Sequence, residues 1–513
     1  MTARSIASVA VALCLASEVP GRSPRPPEAD KPILLGDGAM VESATGPFRF
    51  RMIPARLASP SKAPAPPCRM PTVLRDGKKS WKLYGQGEAG LVHAVSTDGL
   101  SWQDASGALA VPNDARANLT PLLDDRAGVA ADEKYKALGG SAEAGGLFAL
   151  ASSDGKVWRK LAARPVIVSS AREALYGRNS AVWSRARNAY VAFVSERRND
   201  RRVISRSTSR DFRTWSPPTP LELNADGEDI WSATVFPVET NPPLLIGLLT
   251  RTAGGKTGPA DICLATSRDG GKTFRRPLLE AWVRPEAGVT DWRSMVPSPL
   301  VAFVRPKAWT RSGEQAFHAG SARYEVFRDR VLACTARALE PALPADEPGD
   351  WDSAAITTKP FIVTGSSLEL NVSTDSFGTI KAEILRADGK PLPGYRLADS
   401  RPDWYTWVYV DPVRRAAELR KSSTDIYGDR AGMVICWRYK HRDNPQKRSR
   451  VQWWPDWDIR ELKGRTVRLR IVMNGADLFS FRTVDREARK GKPVLFSKDF
   501  PAGRMVDYVE AGE

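Results

Sequence analysis

The sequence predicts an all-β protein, a five-bladed β-propeller followed by a β-sandwich domain. Three observations predict it. Four copies of one short pattern recur at nearly even spacing, strand-like runs fill the intervals without a helix of useful length, and the repeat stops near residue 346 while strand signals continue. The copies are Ser96-Thr97-Asp98-Gly99-Leu100-Ser101-Trp102, Ser152-Ser153-Asp154-Gly155-Lys156-Val157-Trp158, Ser209-Arg210-Asp211-Phe212-Arg213-Thr214-Trp215 and Ser267-Arg268-Asp269-Gly270-Gly271-Lys272-Thr273-Phe274. Their aspartates stand 56 to 58 residues apart, a period characteristic of propellers and arrays.

Each copy reads as a tight turn. An aspartate carboxylate accepts bonds from nearby backbone N–H groups, the glycine tolerates positive φ, and the aromatic residue folds back over the hairpin. Ahead of each turn lie two strand-like runs, such as Trp81–Tyr84 with Leu91–Val95 and Tyr190–Phe193 with Arg202–Arg206. Several short strands per unit suit a four-stranded blade. Blades are therefore expected at about 68–110, 111–165, 166–222, 223–280 and 281–345, the last of degraded sequence.

The N-terminal residues 1–17 read as an export signal, with Arg4 before the apolar stretch Ile6–Ala16 and small residues at its end. A secreted or periplasmic location follows from that reading, with no membrane span in the mature chain; a short buried helix is the competing one. Residues 18–67 form a proline-rich leader, expected to be partly irregular. Near Asp346–Asp350 the character changes, and 346–485 shows hairpin signals without the repeat, as in a β-sandwich. The last residues, 486–513, read as a tail. Two stretches in this region, around Trp404–Tyr409 and Arg438–Trp457, mix aromatics with cations, which suits either a carbohydrate platform or packing against the propeller.

Formal net charge is +17, from 76 Lys and Arg against 59 Asp and Glu. A basic surface could meet nucleic acid or an anionic polysaccharide, but the charges are spread along the chain and no nucleic-acid module is present. The five cysteines form no C-x-x-C pair, leaving one or two disulfides or isolated buried thiols as alternatives. His93, His318 and His441 are too scattered for a zinc site or a histidine-driven triad. No metal and no cofactor is expected.

The heptads resemble the Asp-box of sialidases and related propeller proteins, with Phe212 in the third copy where glycine is usual. In that family the box is a structural hairpin on the rim. The five blades plus sandwich also resemble secreted bacterial glycoside hydrolases of the invertase and arabinanase type over roughly residues 68–482. That likeness is carried by Tyr135-Lys136-Ala137-Leu138-Gly139, the Ser209–Trp215 heptad and Gly464-Arg465-Thr466-Val467-Arg468-Leu469-Arg470.

The resemblance implies a glycosidase whose carboxylates lie at the beginnings of the innermost strands, one as nucleophile or base and one as acid. The catalytic candidates on this basis are Glu228 and Asp229 in blade 4 with Asp124 and Asp125 in blade 2. Asn118, Arg178, Asn179, Trp231 and Arg251 would bind substrate, a poly- or oligosaccharide that is neutral or anionic; the competing reading of Arg178, Asn179 and Arg251 is that they brace neighbouring blades. Glu196 reads either as an axial strand-end carboxylate or as an ion pair with its arginines. Tyr176 stands where the resemblance implies an acid, and blade 1 begins at Pro66-Pro67-Cys68-Arg69, also without one. Two functions therefore stay open, a glycoside hydrolase and a non-catalytic carbohydrate-binding propeller. Sialidase is a third, because Phe48-Arg49-Phe50-Arg51-Met52-Ile53-Pro54 is similar to that family's arginine motif with Met52 interrupting it.

Overall fold

The structure is a computed structural model. It describes residues 31–485, except 59–62, 170–173, 239, 241, 254–259, 286–290, 303–313, 321, 328–330, 337–353, 398–428, 435–437, 443–451 and 457–458, together with 494–495. The signal, the Trp404–Tyr409 cluster and, apart from 494–495, the tail lie outside the described residues.

Five antiparallel sheets form the five-bladed propeller. Blade 1 holds strands Arg69–Arg75, Trp81–Gly87, Gly90–Ser96 and Gln103–Asp104. Blade 2 holds Thr120–Leu123, Tyr135–Ser141, Gly146–Ser152 and Arg159–Lys160. Blade 3 holds Ser180–Ser184, Ala189–Arg198, Arg201–Ser209 and Thr219–Pro220. Blade 4 holds Glu228–Val238, Leu244–Ala253 and Ala260–Ser267, with its fourth strand reduced to the bridge between Thr266 and Arg275. Blade 5 runs Val301–Ala302, Glu314–Ala319 and Ala322–Phe327.

The outermost strand of blade 5 is Arg56–Leu57, paired with Glu325 and Tyr324. The proline-rich segment thus joins the two ends of the ring, a role that the expectation of an irregular leader missed. Three further short strands of that segment, Ile33–Leu34, Val41–Thr45 and Arg49–Met52, pair with strands beyond the propeller. Runs of two to five residues carry no periodic signal, so only their tertiary partners identify them as strands.

All four copies fold as the same kind of turn, the fourth with one extra residue. In the first, the Ser96 hydroxyl accepts from the Gly99 amide at 2.8 Å, while Asp98 Oδ1 accepts from the amides of Leu100 and Ser101 at 2.7 and 2.8 Å. The set repeats at Asp154, Asp211 and Asp269. Gly99, Gly155 and Gly270 take φ near +75°, and Phe212 takes +66° in the third copy. A bulky residue is costly there. Phe212 is held by complete burial and by edge contacts to Tyr190 and Trp215 at 5.0 and 5.2 Å.

Beyond the propeller lies a nine-stranded sheet. Its two long strands, Ser367–Arg386 and Thr466–Val484, pair from Ser367 with Val484 to Arg386 with Val467. Alternate residues Leu368, Leu370, Val372, Ile380, Ala382 and Ile384 face one core with Val467, Leu469, Ile471 and Met473. Leu332–Thr335, expected inside blade 5, belongs to this sheet, where it pairs with Arg49–Met52 and with Asp477 and Leu478. Leu34 and Leu332 bury into the core of blades 4 and 5, and Arg268 of the fourth heptad grips Asp37 through two bonds of 2.7 and 3.0 Å.

Cys68, Cys263 and Cys334 are free, buried thiols. Burial pushes the thiols of Cys68 and Cys263 up to about 11. No helix among the described residues is long and apolar enough to cross a membrane.

Candidate functional site

Antiparallel order places the start of every inner strand and every hairpin between second and third strands on one face, here called the mouth. The heptad turns lie at the opposite end. Three blades enter the mouth through non-glycine residues with positive φ: Met70 at +50°, Asn118 at +52° and Leu175 at +58°. Strained backbone of this kind persists only where its surroundings fix it, and it clusters at sites of function. Asn118 is fixed by donating to the carbonyls of Leu175 and Gly140 at 3.1 and 3.3 Å, so it braces blades 2 and 3.

Around the starts of blades 3, 4 and 5, five side chains close a ring of π contacts. Trp231 stacks on Trp292, with centroids 4.7 Å apart and planes at 22°. The Arg202 guanidinium lies 4.7 Å from Trp231 and 5.7 Å from Tyr176. Arg293 lies 5.0 Å from Trp292 and 5.6 Å from Tyr176. Trp231 is anchored through its indole N–H to the Thr252 hydroxyl at 3.0 Å. The ring closes because residue 177 is glycine: a Cβ there would fall 2.2 Å from the Trp231 carbonyl. Four members are largely buried or half-buried, whereas Tyr176 is 46% exposed and forms the ring's open surface.

Charge surrounds this surface. Arg69 bonds Asp291 at 3.0 Å and Arg293 approaches the same carboxylate at 3.5 Å, so two guanidiniums share one acid. Asp291 also caps its short 3-10 turn by accepting from the Arg293 amide. Asp229, half-buried at the start of blade 4, accepts from the Arg202 amide through Oδ1 at 2.7 Å.

The remaining sequence-derived candidates, Asp125 apart, are engaged by neighbouring residues. Glu228 is buried and held by Arg251 at 2.5 Å, by Arg276 and by the Ala225 amide at 3.0 Å. Burial alone would raise its carboxyl, but these partners prevail and hold it at about 2. Arg251 is committed to Glu228, to Asp261 at 2.7 Å and to the Leu279 carbonyl at 2.7 Å, and so braces blade 4. Asp124 lies past the far end of its strand, away from the mouth, and meets Lys136 at 2.8 Å, Arg126 at 2.7 Å and the Tyr190 hydroxyl. It too is held at about 2, against the desolvation that would raise it. Asp125 is exposed beside it. Glu228 and Asp124 thus stay ionised through the neutral range and are engaged by their cationic partners, an arrangement that suits bracing and does not suit a general acid.

Arg178, Asn179 and Glu196 take up the bracing and ion-pair alternatives of their sequence readings. Arg178 is 2% exposed and crosses the hub, donating to the Pro71 carbonyl, the Thr72 hydroxyl at 2.6 Å and the Pro297 carbonyl at 3.2 Å. It therefore pins blade 3 to blades 1 and 5. Asn179 is spent on the carbonyls of Leu175 and Gly177 and on the Ser195 amide. Glu196 is buried among Arg198, Ser169 and Ser205. Among the described residues no group of three or more His, Cys, Asp or Glu could hold a metal.

No family model matches the chain, and no curated protein matches it. Among solved structures it is similar to an endo-arabinase from Bacteroides thetaiotaomicron, at 15% identity over 53% of this chain and 97% of that one, with a TM-score of 0.35. It is similar to a fructofuranosidase from Schwanniomyces occidentalis complexed with fructosylnystose, at 11% identity over 84% and 96% of the chains, TM-score 0.36. An N-acetylgalactosamine deacetylase from F. plautii gives 13% identity over 62% and 88%, TM-score 0.35. Likeness at this level transfers no chemistry, so function is read from the site.

In the sequence Tyr176 stands out only as a missing acid, and nothing there groups it with Arg202, Asp291, Trp292 and Arg293. The Trp-Arg pair at 292–293 was the available signal. It lay in the weakest blade, where the repeat no longer marked the strand starts.

Proposed function

We propose that this propeller, glycosidase-like in architecture, is a glycan-binding protein that holds an anionic oligosaccharide at its mouth. The closed Arg202–Trp231–Trp292–Arg293–Tyr176 ring carries the reading. A sugar's apolar face stacks on an aromatic ring fixed from behind, and Tyr176 supplies such a ring with its other contacts already made. Arg293 and Arg69, both reaching solvent, attract a carboxylated or sulfated sugar through the positive charge that Asp291 only half neutralises. The sequence supports export of the chain through residues 1–17.

Titration calorimetry with oligogalacturonate and with neutral arabinan oligosaccharides tests this. The uronate is expected to bind more tightly, with affinity falling as salt rises. Tyr176→Ala is expected to weaken binding about tenfold, the equivalent of roughly 1.4 kcal/mol. Equal affinity of wild type and Tyr176→Ala would overturn the reading.

One observation favours the hydrolase instead. Asp229 has one oxygen fixed by the Arg202 amide and stands at the mouth beside Trp231. Product analysis on the same glycans separates the two: turnover abolished by Asp229→Asn with binding retained would make the chain an enzyme.

A further inference from the structure

At three seams of the ring, the aromatic residue that ends a repeat turn packs against the second strand of the blade before it. Trp158 of blade 2 meets Tyr84 of blade 1 edge-on at 6.3 Å, and Phe274 of blade 4 meets Phe193 of blade 3 at 5.5 Å. Leu138 of blade 2 and Trp215 of blade 3 share one core. Where blade 5 closes the ring against blade 1, Trp102 meets a histidine instead: the His318 ring lies 5.8 Å away and nearly perpendicular. Among Tyr84, Leu138, Phe193 and His318, only the histidine gains a charge in mild acid.

His318 faces this seam because Phe317, its neighbour on the strand Glu314–Ala319, belongs to the core of blades 4 and 5, and successive side chains alternate. It is 4% exposed, and its Nδ1 is buried without a partner. Arg323 stands opposite on the next strand and pairs with Glu325 at 3.1 Å. Across the seam, blade 1 offers Trp102 with Val73, Trp81 and Leu83 and the buried thiol of Cys68. The charged ends of its inner strand turn elsewhere, Arg69 to Asp291 and Arg75 to the Gly77 carbonyl. Burial, with Arg323 adding to it, holds the imidazole at about 4, below the ordinary 6.5. A buried charge without a counterion is expensive.

We infer that the seam between blades 5 and 1 is an acid-operated latch: a proton on His318 puts an unpaired charge into the Trp102 contact, so this seam opens before the rest of the ring. The Arg69–Asp291 pair at the mouth bridges the same two blades and opens with it. The latch is independent of the glycan reading. Its sign follows from the lowered value: the neutral imidazole's contribution is complete above about 6.5 and is lost as the pH falls toward 4. Glu228 and Asp124 remain ionised at about pH 5, so a fall from about pH 7 to about pH 5 reads histidine alone. The competing group is His93, buried within blade 1, stacked on Tyr84 at 4.6 Å and bonded through Nδ1 to the Leu83 carbonyl.

Hydrogen exchange of the full chain, read by mass spectrometry and corrected for the intrinsic pH dependence, tests the latch. Over that fall in pH, peptides carrying the Trp102 amide, bonded to the Ala63 carbonyl, and the Ser298 and His318 amides, bonded to each other's residue, are expected to exchange about tenfold faster. The strands of blades 3 and 4 are expected to keep their protection. His318→Phe, which places at this seam the kind of ring that Phe193 supplies between blades 3 and 4, is expected to remove the response. If that variant does not fold, the wild-type map decides by whether the faster exchange is confined to the seam. An unchanged seam, faster exchange spread evenly over all five blades, or a response that survives His318→Phe and so belongs to His93, would overturn the proposal.

Discussion

Glu228→Ala is expected to destabilise the protein by about 3–5 kcal/mol, read as a lowered urea midpoint with an unchanged slope. The carboxylate sits between Arg251 and Arg276, whose side chains are only 12% and 5% exposed. Removing it leaves two buried guanidiniums facing each other, with Asp261 to serve Arg251 alone. Glu228→Gln keeps the shape and one acceptor, and is expected to lose less. A loss below about 1 kcal/mol for the alanine variant would contradict the structural role. Acid should act in the same direction. The folded carboxyl is held at about 2 against an ordinary glutamate value of 4.5. Its contribution is therefore complete above about 4.5 and is lost as the pH falls toward 2.

Asp124→Ala is expected to cost a similar amount, about 3–5 kcal/mol, because Lys136 is 3% exposed and loses its closer ion-pair partner, keeping only Glu133 at 3.8 Å. Tyr190 loses the acceptor for its hydroxyl at the same time. The double variant Asp124→Ala with Lys136→Met removes both buried charges and is expected to recover a substantial part of the loss, a coupling that a cycle through the single variants Asp124→Ala and Lys136→Met measures. Simple addition of the two single effects would argue against a buried pair. Asp124 is likewise held at about 2 against 3.8, so its stabilisation is complete above about 3.8 and fades as the pH falls through about 2.

These two acids illustrate how far a site was legible in the chain. Their spacing from predicted strands made them candidates, yet spacing does not reveal which end of a strand a side chain occupies. Asp124 lies past the end of Thr120–Leu123, away from the mouth, and Glu228 points to arginines of its own blade. Asp229, the neighbour of Glu228, does reach the mouth, because successive side chains on a strand face opposite ways. Arg178 was recognised as a possible brace, but the neutrality of its partners depends on segments 106 and 119 residues away in the chain.

By itself the sequence determined the blades: the heptads encode their turns through bonds that span two to four residues, so the repeat can be read without knowing any distant contact. Only the tertiary structure decided how the ring closes and what its mouth can hold. Arg56–Leu57 becomes a strand because Tyr324 and Glu325 offer it an edge, and Tyr176 becomes a platform because Arg202 of its own blade and Arg293 of blade 5 pack against its ring. Local hydrogen bonding is written in neighbouring residues, whereas a surface assembled from three blades exists only after the chain has brought them together.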